Sequence, residues 1–529
     1  MKGGFRQSMS WLHTWCGLTC GWLLCAIFLT GTVSVFREPI TRWMQAGPLK
    51  PVAAASTRED QAAALQIGLR YLADHAAGVR SWRMGLPERQ GGALALAWRD
   101  AQGANRYATL DAATGQPLAE PRTRQTEGGR HFMSFHYTLH GGLAGYWLVG
   151  WITLGMLVAL VSGVVVHKRL FTDFFTFRQG KGQRSWMDAH NATAVLTLPF
   201  LFMIGYTGLA FFYTSYAPLP LRVAYGADAG AYARFQAGLA PAQTWPREPS
   251  AVDARIVDPA PLLAEASALM GGPVSQVILD RPSGLRGTIR MVGTEPGAEV
   301  SRRLLPTPGS VRFDAESGAM LEAHAPDADG QASAKQVHEA IEALHKANFG
   351  GWTMKWLYFL SGLAGTAMVA TGTLLFSIKR RKRCEAEFGA ATARVYRGVE
   401  ALNVASLAGV ALASIAYFYA NRLIPVDLAD RAAWEIRVFF GIWAASLAHA
   451  LLRPPNLAWR EQLAAAALLC VCLPLLNWAT LGQHLVTYMA QGDRALAAVE
   501  LTAIGLGLLF GAAASRLRPD AGPARRGKT

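Results

Sequence analysis

Eight stretches of the sequence are apolar over a length that crosses a bilayer. They lie near residues 11–36, 141–166, 191–216, 352–377, 399–420, 434–452, 462–483 and 496–515. A hydrocarbon core of about 30 Å takes roughly 20 residues of helix. Globular cores rarely need uninterrupted apolar runs of this length, so the pattern predicts a polytopic α-helical membrane protein with about eight transmembrane helices.

Two long polar segments, 37–130 and 217–345, separate the first four runs. Each contains a predicted amphipathic helix, near Arg58–Asp74 and Pro259–Met270, followed by strand-like alternation. The stretches "RYATLDAATGQPLAE" and "VRFDAESGAMLEAH" both show a strand, an Asp-x-x-[Thr/Ser]-Gly turn and a return strand. We interpret Asp111 and Asp314 as turn residues, and we predict two small α+β domains.

The chain carries a formal net charge of +15, and the position of that charge predicts its orientation. Basic clusters such as "KRRKR" (Lys379–Arg383) and the C-terminal tail all fall on one side of an eight-span arrangement. An excess of Lys and Arg marks the cytoplasmic side, so both termini are predicted to be cytoplasmic and both polar segments to lie outside the cytoplasm. The charge therefore needs no nucleic acid partner. The first run is long and lacks a small-residue cleavage site, which favours a retained signal anchor.

The predicted organisation follows from these boundaries. It consists of span one (1–36), a first external domain (37–130), spans two and three with a cytoplasmic loop (131–216), a second external domain (217–345), span four (346–378), a basic cytoplasmic loop (379–398), spans five to eight (399–516) and a cytoplasmic tail (517–529). Five of the six cysteines fall within spans and Cys384 is cytoplasmic. No disulfide framework and no C-x-x-C-H attachment motif for haem is present.

The first four spans form an internal repeat of helix, external domain and helix. The first span, "SWLHTWCGL…FLTGTVSVF", matches the third, "WMDAHNATAVL…GYTGLAFFY". The second, "LHGGLAGYWLVGW…LVSGVVVHKR", matches the fourth, "LHKANFGGWTMKWLYFL…VATGTLLFSIKR". This matching pairs His13 with His190 and His140 with His345.

Over about residues 8–383 the chain resembles the PepSY-associated transmembrane family, whose members carry this helix–PepSY–helix unit. The resemblance rests on "WLHTWCGL", "FHYTLHGG", "SGVVVHKR", "DAHNATAVLTLPF" and "FGGW…LYFLSGLAG". It implies a bacterial inner-membrane protein with PepSY-like periplasmic domains. Because some members reduce ferric siderophores in iron uptake and are similar to b-type cytochromes, it also implies haem between the helices.

Six histidines cluster at two membrane depths, and we predict them as haem ligands. His13, His167 and His190 lie at the inner side, and His136, His140 and His345 at the outer side. A six-coordinate haem takes two axial imidazoles from the protein. The repeat favours His13 with His190 for one haem b and His140 with His345 for a second. His167 competes with His13, and His136 is an alternative to His140.

Other residues are predicted to assist or to be structural. Glycines at matched positions leave room for the macrocycle or allow close helix packing: Gly31, Gly163, Gly208 and Gly372. Basic residues near the histidines are candidates for pairing with haem propionates: Lys168, Arg169, Arg130 and Lys346. The remaining six histidines are predicted to be structural or to lie on the external surface: His75, His131, His324, His338, His449 and His484.

Two haems define an electron path across the membrane. No G-x-G-x-x-G follows a strand, so electrons are predicted to come from a membrane quinol or a separate reductase. The expected function is a transmembrane ferric-chelate reductase that acts on ferric siderophores in the periplasm. External arginines are candidates for attracting an anionic chelate: Arg80, Arg83, Arg99, Arg106, Arg122 and Arg124. Two alternatives are a non-enzymatic PepSY-domain sensor or regulator and a siderophore transporter.

Overall fold

The computed structural model of the protein describes residues 4–45, 54–76, 78–79, 81–100, 104–118, 124–167, 174, 183–228, 230–239, 256–281, 286–293, 309–325, 334–388 and 390–517. The chain forms two compact units. We call Met1–Gly47, Thr123–Tyr216 and Lys355–Thr529 the helical unit, and Pro48–Arg122 with Ala217–Met354 the sheet unit.

The helices of the described residues are, in chain order, α1 (Phe5–Ser34), α2 (Arg37–Gln45), α3 (Arg58–His75), α4 (Arg130–Thr138), α5 (Gly142–Val166), α6 (Gln183–Phe211), α7 (Tyr213–Tyr216), α8 (Pro218–Tyr225), α9 (Ala231–Leu239), α10 (Ala260–Met270), α11 (Ala334–Lys346), α12 (Gly351–Phe388), α13 (Ala390–Val404), α14 (Val410–Leu423), α15 (Arg431–Leu452), α16 (Pro455–Leu481), α17 (Leu485–Ala490) and α18 (Arg494–Arg516). A five-residue π-helical turn, Ala405–Gly409, joins α13 to α14. The strands are β1 (Ser81–Gly85), β2 (Ala93–Arg99), β3 (Asn105–Asp111), β4 (Val274–Asp280), β5 (Thr288–Gly293), β6 (Ser310–Asp314) and β7 (Met320–His324).

Eight helices of the described residues are long and apolar enough to cross a membrane. They are Phe5–Ser34, Gly142–Val166, Gln183–Phe211, Gly351–Ile378, Ala393–Leu423, Arg431–Leu452, Pro455–Leu481 and Arg494–Arg516. Each coincides with one of the apolar runs in the sequence. The predicted basic connection, 379–398, contains helix on both sides of residue 389, since α12 continues to Phe388 and α13 begins at Ala390.

The four helices of the sequence repeat share one apolar core in the helical unit. Leu24 and Ile27 of α1, Met156 of α5, Leu201 of α6 and Met368 of α12 belong to it, and each is at least nine-tenths buried. The apolar side chains of α1 therefore pack between the other repeat helices. This packing places the histidines near the helix ends next to backbone of a neighbouring helix.

The sheet unit contains one continuous sheet, where the sequence predicted two separate domains. Its seven strands are ordered β3-β2-β1-β4-β5-β6-β7, and all neighbouring pairs are antiparallel. The two halves join where β1 pairs with β4, with Met84 opposite Val277. Buried residues of both halves, together with those of α3 and α10, form a single core. The two copies of the repeat unit therefore bury their apolar faces jointly, which is favourable because each half alone is small.

Both predicted Asp-x-x-[Thr/Ser]-Gly segments are turns. Asp111 Oδ1 accepts hydrogen bonds from the backbone of Ala113 and Thr114, and the following Gly115 has φ +70°. The second copy repeats this arrangement: Asp314 Oδ1 accepts from the backbone N–H of Ser317 at 2.8 Å. A glycine at the left-handed position avoids the strain that a side chain would bring. Helix α3 starts with a capping box between Thr57 and Asp60.

Candidate haem-binding site

The first predicted ligand, His13, lies in α1 against α5. Its Nδ1 is 2.8 Å from the carbonyl oxygen of Ala159. A carbonyl only accepts, so Nδ1 carries the proton and donates it, and the neutral ring keeps no proton on Nε2. The ring lies over Gly163, where a Cβ would be 2.9 Å from Cε1 of the imidazole. Gly163 is therefore required for this close approach.

His190 of α6 has the same arrangement with respect to α12. Its Nδ1 is 2.8 Å from the carbonyl oxygen of Met368 and 3.3 Å from the hydroxyl of Thr371. A Cβ on Gly372 would be 3.1 Å from Cε1 of the ring. The two copies of the repeat thus make the same contacts. In each, a histidine near the start of one spanning helix donates a hydrogen bond to a backbone carbonyl of the following spanning helix, and the ring lies beside a glycine of that helix.

The rings of His13 and His190 are neighbours in an edge-to-face arrangement. Their centres are 6.3 Å apart and their planes are inclined by 64°. Two imidazoles that bind one metal ion from opposite sides have ring centres roughly 6 Å apart, because each bond is about 2 Å long and the centre lies about 1 Å behind the nitrogen. The donor set and the ring spacing of His13 and His190 fit a bis-histidine haem.

A third histidine has this environment near the other end of α1. His136 of α4 places Nδ1 2.8 Å from the carbonyl oxygen of Ile27. A Cβ on Gly31 would be 2.5 Å from the same nitrogen. Ile27 is 14 residues after His13 in α1, or about 21 Å at 1.5 Å per residue, so the histidines lie at two levels. Three of the four glycines singled out in the sequence thus face histidine rings.

His140 has different surroundings. Its Nε2 is 3.0 Å from Nδ1 of His131 and 3.2 Å from the carbonyl oxygen of His131. Leu139 and His140 both have left-handed backbone, with φ of 51° and 53°. That conformation is uncommon for residues other than glycine and is retained only where the surrounding structure enforces it. Burial lowers the pKa of His140.

His131 was predicted to lie on the external surface, and this is wrong, because its side chain is fully buried. The ring stacks on Tyr417 at 4.3 Å between ring centres and meets Phe439 edge-on at 4.6 Å. Burial, with a smaller contribution from His140, lowers the pKa of His131 to about 3. The sequence signal was weak, since His131 stands in a polar stretch and only the packing of distant helices covers it.

The last two predicted ligands are placed as follows. His167 directly follows α5 as its C-cap, and its backbone N–H donates to the carbonyl oxygen of Gly163 at 3.0 Å. It lies close enough to His190 to interact with it electrostatically. His345 is part of α11 in the sheet unit and is half-buried. Ligation by His13, His136, His140, His167, His190 and His345 stays a prediction.

Several predicted basic partners have carboxylates of their own. Arg130 lies 3.7 Å from Glu127, and Lys346 pairs with Glu342. Burial and the charge of Arg431 lower the pKa of Arg124, which belongs to the helical unit. Arg106 pairs with Asp100 at 2.9 Å, and Arg83 and Arg99 lie in β1 and β2. The other four basic candidates lie outside the described residues: Lys168, Arg169, Arg80 and Arg122.

The C-terminal helices contain a buried polar network that the sequence reading missed. Arg431 and Glu435 form an ion pair with no exposed side-chain surface. Asn421 donates to Glu435 at 2.7 Å, and Arg422 donates to Asn477 at 2.9 Å. Ionisable residues inside spans are costly and usually mark a function or a close attachment. The sequence feature that could have predicted this network is the presence of four charged residues in the predicted spans and their flanks: Arg422, Arg431, Glu435 and Glu500.

Among the described residues, no group of three or more histidine, cysteine or carboxylate side chains is arranged so that it could hold a metal ion. The candidate site of the helical unit is therefore built from pairs of imidazoles. Outside it, His75 and His324 lie exposed in the sheet unit, and His449 hydrogen-bonds to Glu461 at 2.8 Å.

The fold and the paired histidines define a polytopic helical membrane protein with a sheet-containing unit inserted between its first and fourth spans. The family model for the PepSY-associated TM region matches residues 10–380, and the chain belongs to this family. It is 27% identical over 414 residues to the uncharacterized protein PA4219 of Pseudomonas aeruginosa, an alignment that covers 72% of this chain and 92% of that protein.

Proposed function

We propose that the protein is a transmembrane b-type haem protein that transfers electrons to ferric chelates, such as ferric siderophores, on the periplasmic side of the bacterial inner membrane. The observation that carries the proposal is the pair of His13 and His190, with ring centres 6.3 Å apart. Each ring is oriented by a bond from Nδ1 to a backbone carbonyl. Such bonds fix the tautomer that presents Nε2 for ligation.

The second haem is proposed at the level of His136. The sequence reading paired His140 with His345, but the glycines give a different register. Gly163 and Gly372 are 209 positions apart, and so are His136 and His345. Each of these two histidines is also the sixth residue before the glycine that begins the next span. We therefore assign His136 to the outer level, with His140 as the alternative, and ligation by His345 stays a prediction from the sequence repeat.

A bound haem supplies one-electron redox chemistry at its iron. The chain contributes the imidazoles, the backbone carbonyls that orient them, and apolar helices that exclude water. Reduction of a ferric chelate to the ferrous state consumes one electron per iron and weakens the hold of hard oxygen ligands. A membrane quinol, which releases two electrons and two protons, or a separate reductase is the proposed donor.

The first experiment asks whether haem is bound. The full chain, purified after expression with adequate haem, should show a Soret band and a split α-band on reduction with dithionite. His13→Ala and His190→Ala should each remove about half of the haem, whereas His75→Ala, on the exposed end of α3, should remove none. A colourless protein would contradict the proposal and favour the sensor or transporter alternatives.

The second experiment asks whether the electrons reach a chelate. In proteoliposomes with an internal reductant, ferric citrate and a ferric hydroxamate siderophore outside should be reduced at a rate that depends on the haem content. His136→Ala should abolish that reduction. This variant should keep the absorption bands of the inner haem, which are the bands that His13→Ala loses. Retention of full activity in both variants would rule out an electron path through these two levels.

A further inference from the structure

The C-terminal helices lie beyond residue 380, where the family match ends. Two of them, α14 and α15, pack against one face of α4. Phe135 of α4 meets Phe439 and Trp443 of α15, each with 5.5 Å between ring centres. His131 stacks on Tyr417 of α14. Both α4 residues in these contacts are fully buried.

The segment that leads into α4 is also held by α14 and α15. Tyr417 donates its hydroxyl to the carbonyl oxygen of Gly128 at 3.1 Å. Glu435 accepts a 2.5 Å hydrogen bond from the hydroxyl of Thr126, and Arg431 donates to the carbonyl oxygen of Gln125 at 2.9 Å. Three attachments thus act on four consecutive residues, 125–128.

Burying the charged groups that make these attachments is unfavourable in free energy. The side chains of Arg431 and Glu435 are fully buried, and removing two charges from water is repaid only when each charge keeps its partners. Beyond their own ion pair, the guanidinium donates to the backbone carbonyl of Gln125 and the carboxylate accepts from the hydroxyl of Thr126. The network therefore fixes an irregular segment in place.

The opposite face of α4 carries His136. In a helix, residues five positions apart point to widely separated faces, which is why His131 contacts α14 and His136 contacts α1. Helix α4 has nine residues, and a helix this short is not stable without packing. The left-handed residues Leu139 and His140 that follow it are unfavourable as well.

We infer that α14 and α15 hold α4 in place and thereby position His136 over Gly31 of α1. Tyr417, Arg431 and Glu435 are the positioning residues, because they contact α4 or its entry segment and not the ring of His136. For the role of His136 the inference rests on the proposed function. The proposed role of these C-terminal helices is to fix the position of the His136 ring at the outer haem.

The test uses the full chain and three variants. Tyr417→Phe removes the bond to Gly128 and keeps the aromatic ring. Glu435→Gln removes the charge and keeps the shape. Ser446→Ala is the matched control, since Ser446 is also buried in α15 but donates only to Trp443 of its own helix. Amide exchange over residues 125–138 is followed by mass spectrometry, and the two haems by electron paramagnetic resonance and redox titration.

Loss of one buried hydrogen bond corresponds to about fivefold faster exchange where local opening governs it. We expect at least this increase over 125–138 in Tyr417→Phe, more in Glu435→Gln, and none in Ser446→Ala. The signal and midpoint potential of one haem should shift while those of the other stay. Unchanged exchange over 125–138 would overturn the inference, and so would faster exchange with both haems unaffected.

The same data separate this inference from the proposed function. If the wild-type protein carries no haem, the proposed function fails. Faster exchange over 125–138 in Tyr417→Phe then supports the attachment of α4 on its own, and unchanged exchange refutes that attachment too.

Discussion

His13 and His190 lie with their ring centres 6.3 Å apart, although they belong to different copies of the sequence repeat. Each ring is held by a backbone carbonyl of a helix from its own copy, at Ala159 and Met368. The two copies therefore contribute one histidine each to this pair. Cofactor sites in helix bundles are built in this way, from side chains on facing helices.

The glycines under the rings provide the first prediction. Gly163→Ala would place a Cβ 2.9 Å from Cε1 of His13, so the ring must move away from its carbonyl partner. We expect this variant to lose about half of the bound haem, as measured by the pyridine haemochrome assay. Gly441→Ala is the control, because nothing lies within 4 Å of the added carbon in α15. Full haem content in Gly163→Ala would show that the ring tolerates the shift.

The second prediction concerns the buried ion pair of Arg431 and Glu435. Arg431→Met leaves the buried carboxylate of Glu435 without its cation, which costs about 3–5 kcal/mol of unfolding free energy. The Tm in detergent should fall, and the double variant Arg431→Met/Glu435→Leu should recover most of the loss. Arg42→Gln breaks an exposed pair with Asp493, 2.6 Å apart, and should change stability by less than about 1 kcal/mol. Equal Tm values for Arg431→Met and Arg42→Gln would argue against the network.

The turn at Asp314 provides a pH dependence. Burial alone would raise the pKa of this carboxyl, but hydrogen bonds from Ser317 and Glu316 and the charge of Arg286 outweigh it, so the pKa is lowered. A folded-state pKa below the unfolded value gives stability that is present above about pH 4 and is lost as the pH falls through the folded pKa. The Tm of Asp314→Asn should therefore depend less on pH than that of the wild type between pH 5 and the acid limit. Parallel curves would exclude Asp314 as a contributor.

The fourth prediction concerns the capping box of α3. Thr57 accepts from the N–H of Asp60 at 3.1 Å, and Asp60 accepts from the N–H of Thr57 at 2.9 Å. Thr57→Ala should cost about 0.5–2 kcal/mol and speed amide exchange in the first turn of α3. Arg70→Ala, at an exposed position of the same helix, should leave that turn unchanged. A uniform increase along α3 in both variants would mean that the cap is not the cause.

Much of the site followed from the sequence because it repeats. The repeat pairs His13 with His190 and Gly163 with Gly372. The outer level was harder to predict. In "FHYTLHGG" either histidine aligns with the single one in "LHKANFGG", and the choice depends on whether the glycines or the Leu-His pair sets the register. In the structure, the ring of His136 lies over Gly31, as the rings of His13 and His190 lie over Gly163 and Gly372.

The sequence by itself determined the spanning helices, the turns at Asp111 and Asp314 and the internal repeat, since apolar length, side-chain hydrogen bonds and glycine backbone are local properties. Only the tertiary structure decided that the two halves of the sheet unit share one sheet, that His131 is buried and that Arg431 and Glu435 hold the entry to α4. Strand pairing between β1 and β4, and the packing of α14 and α15 on α4, join residues far apart in the chain. Such contacts form because complementary surfaces become buried together, and a local sequence pattern does not show which distant surfaces are complementary.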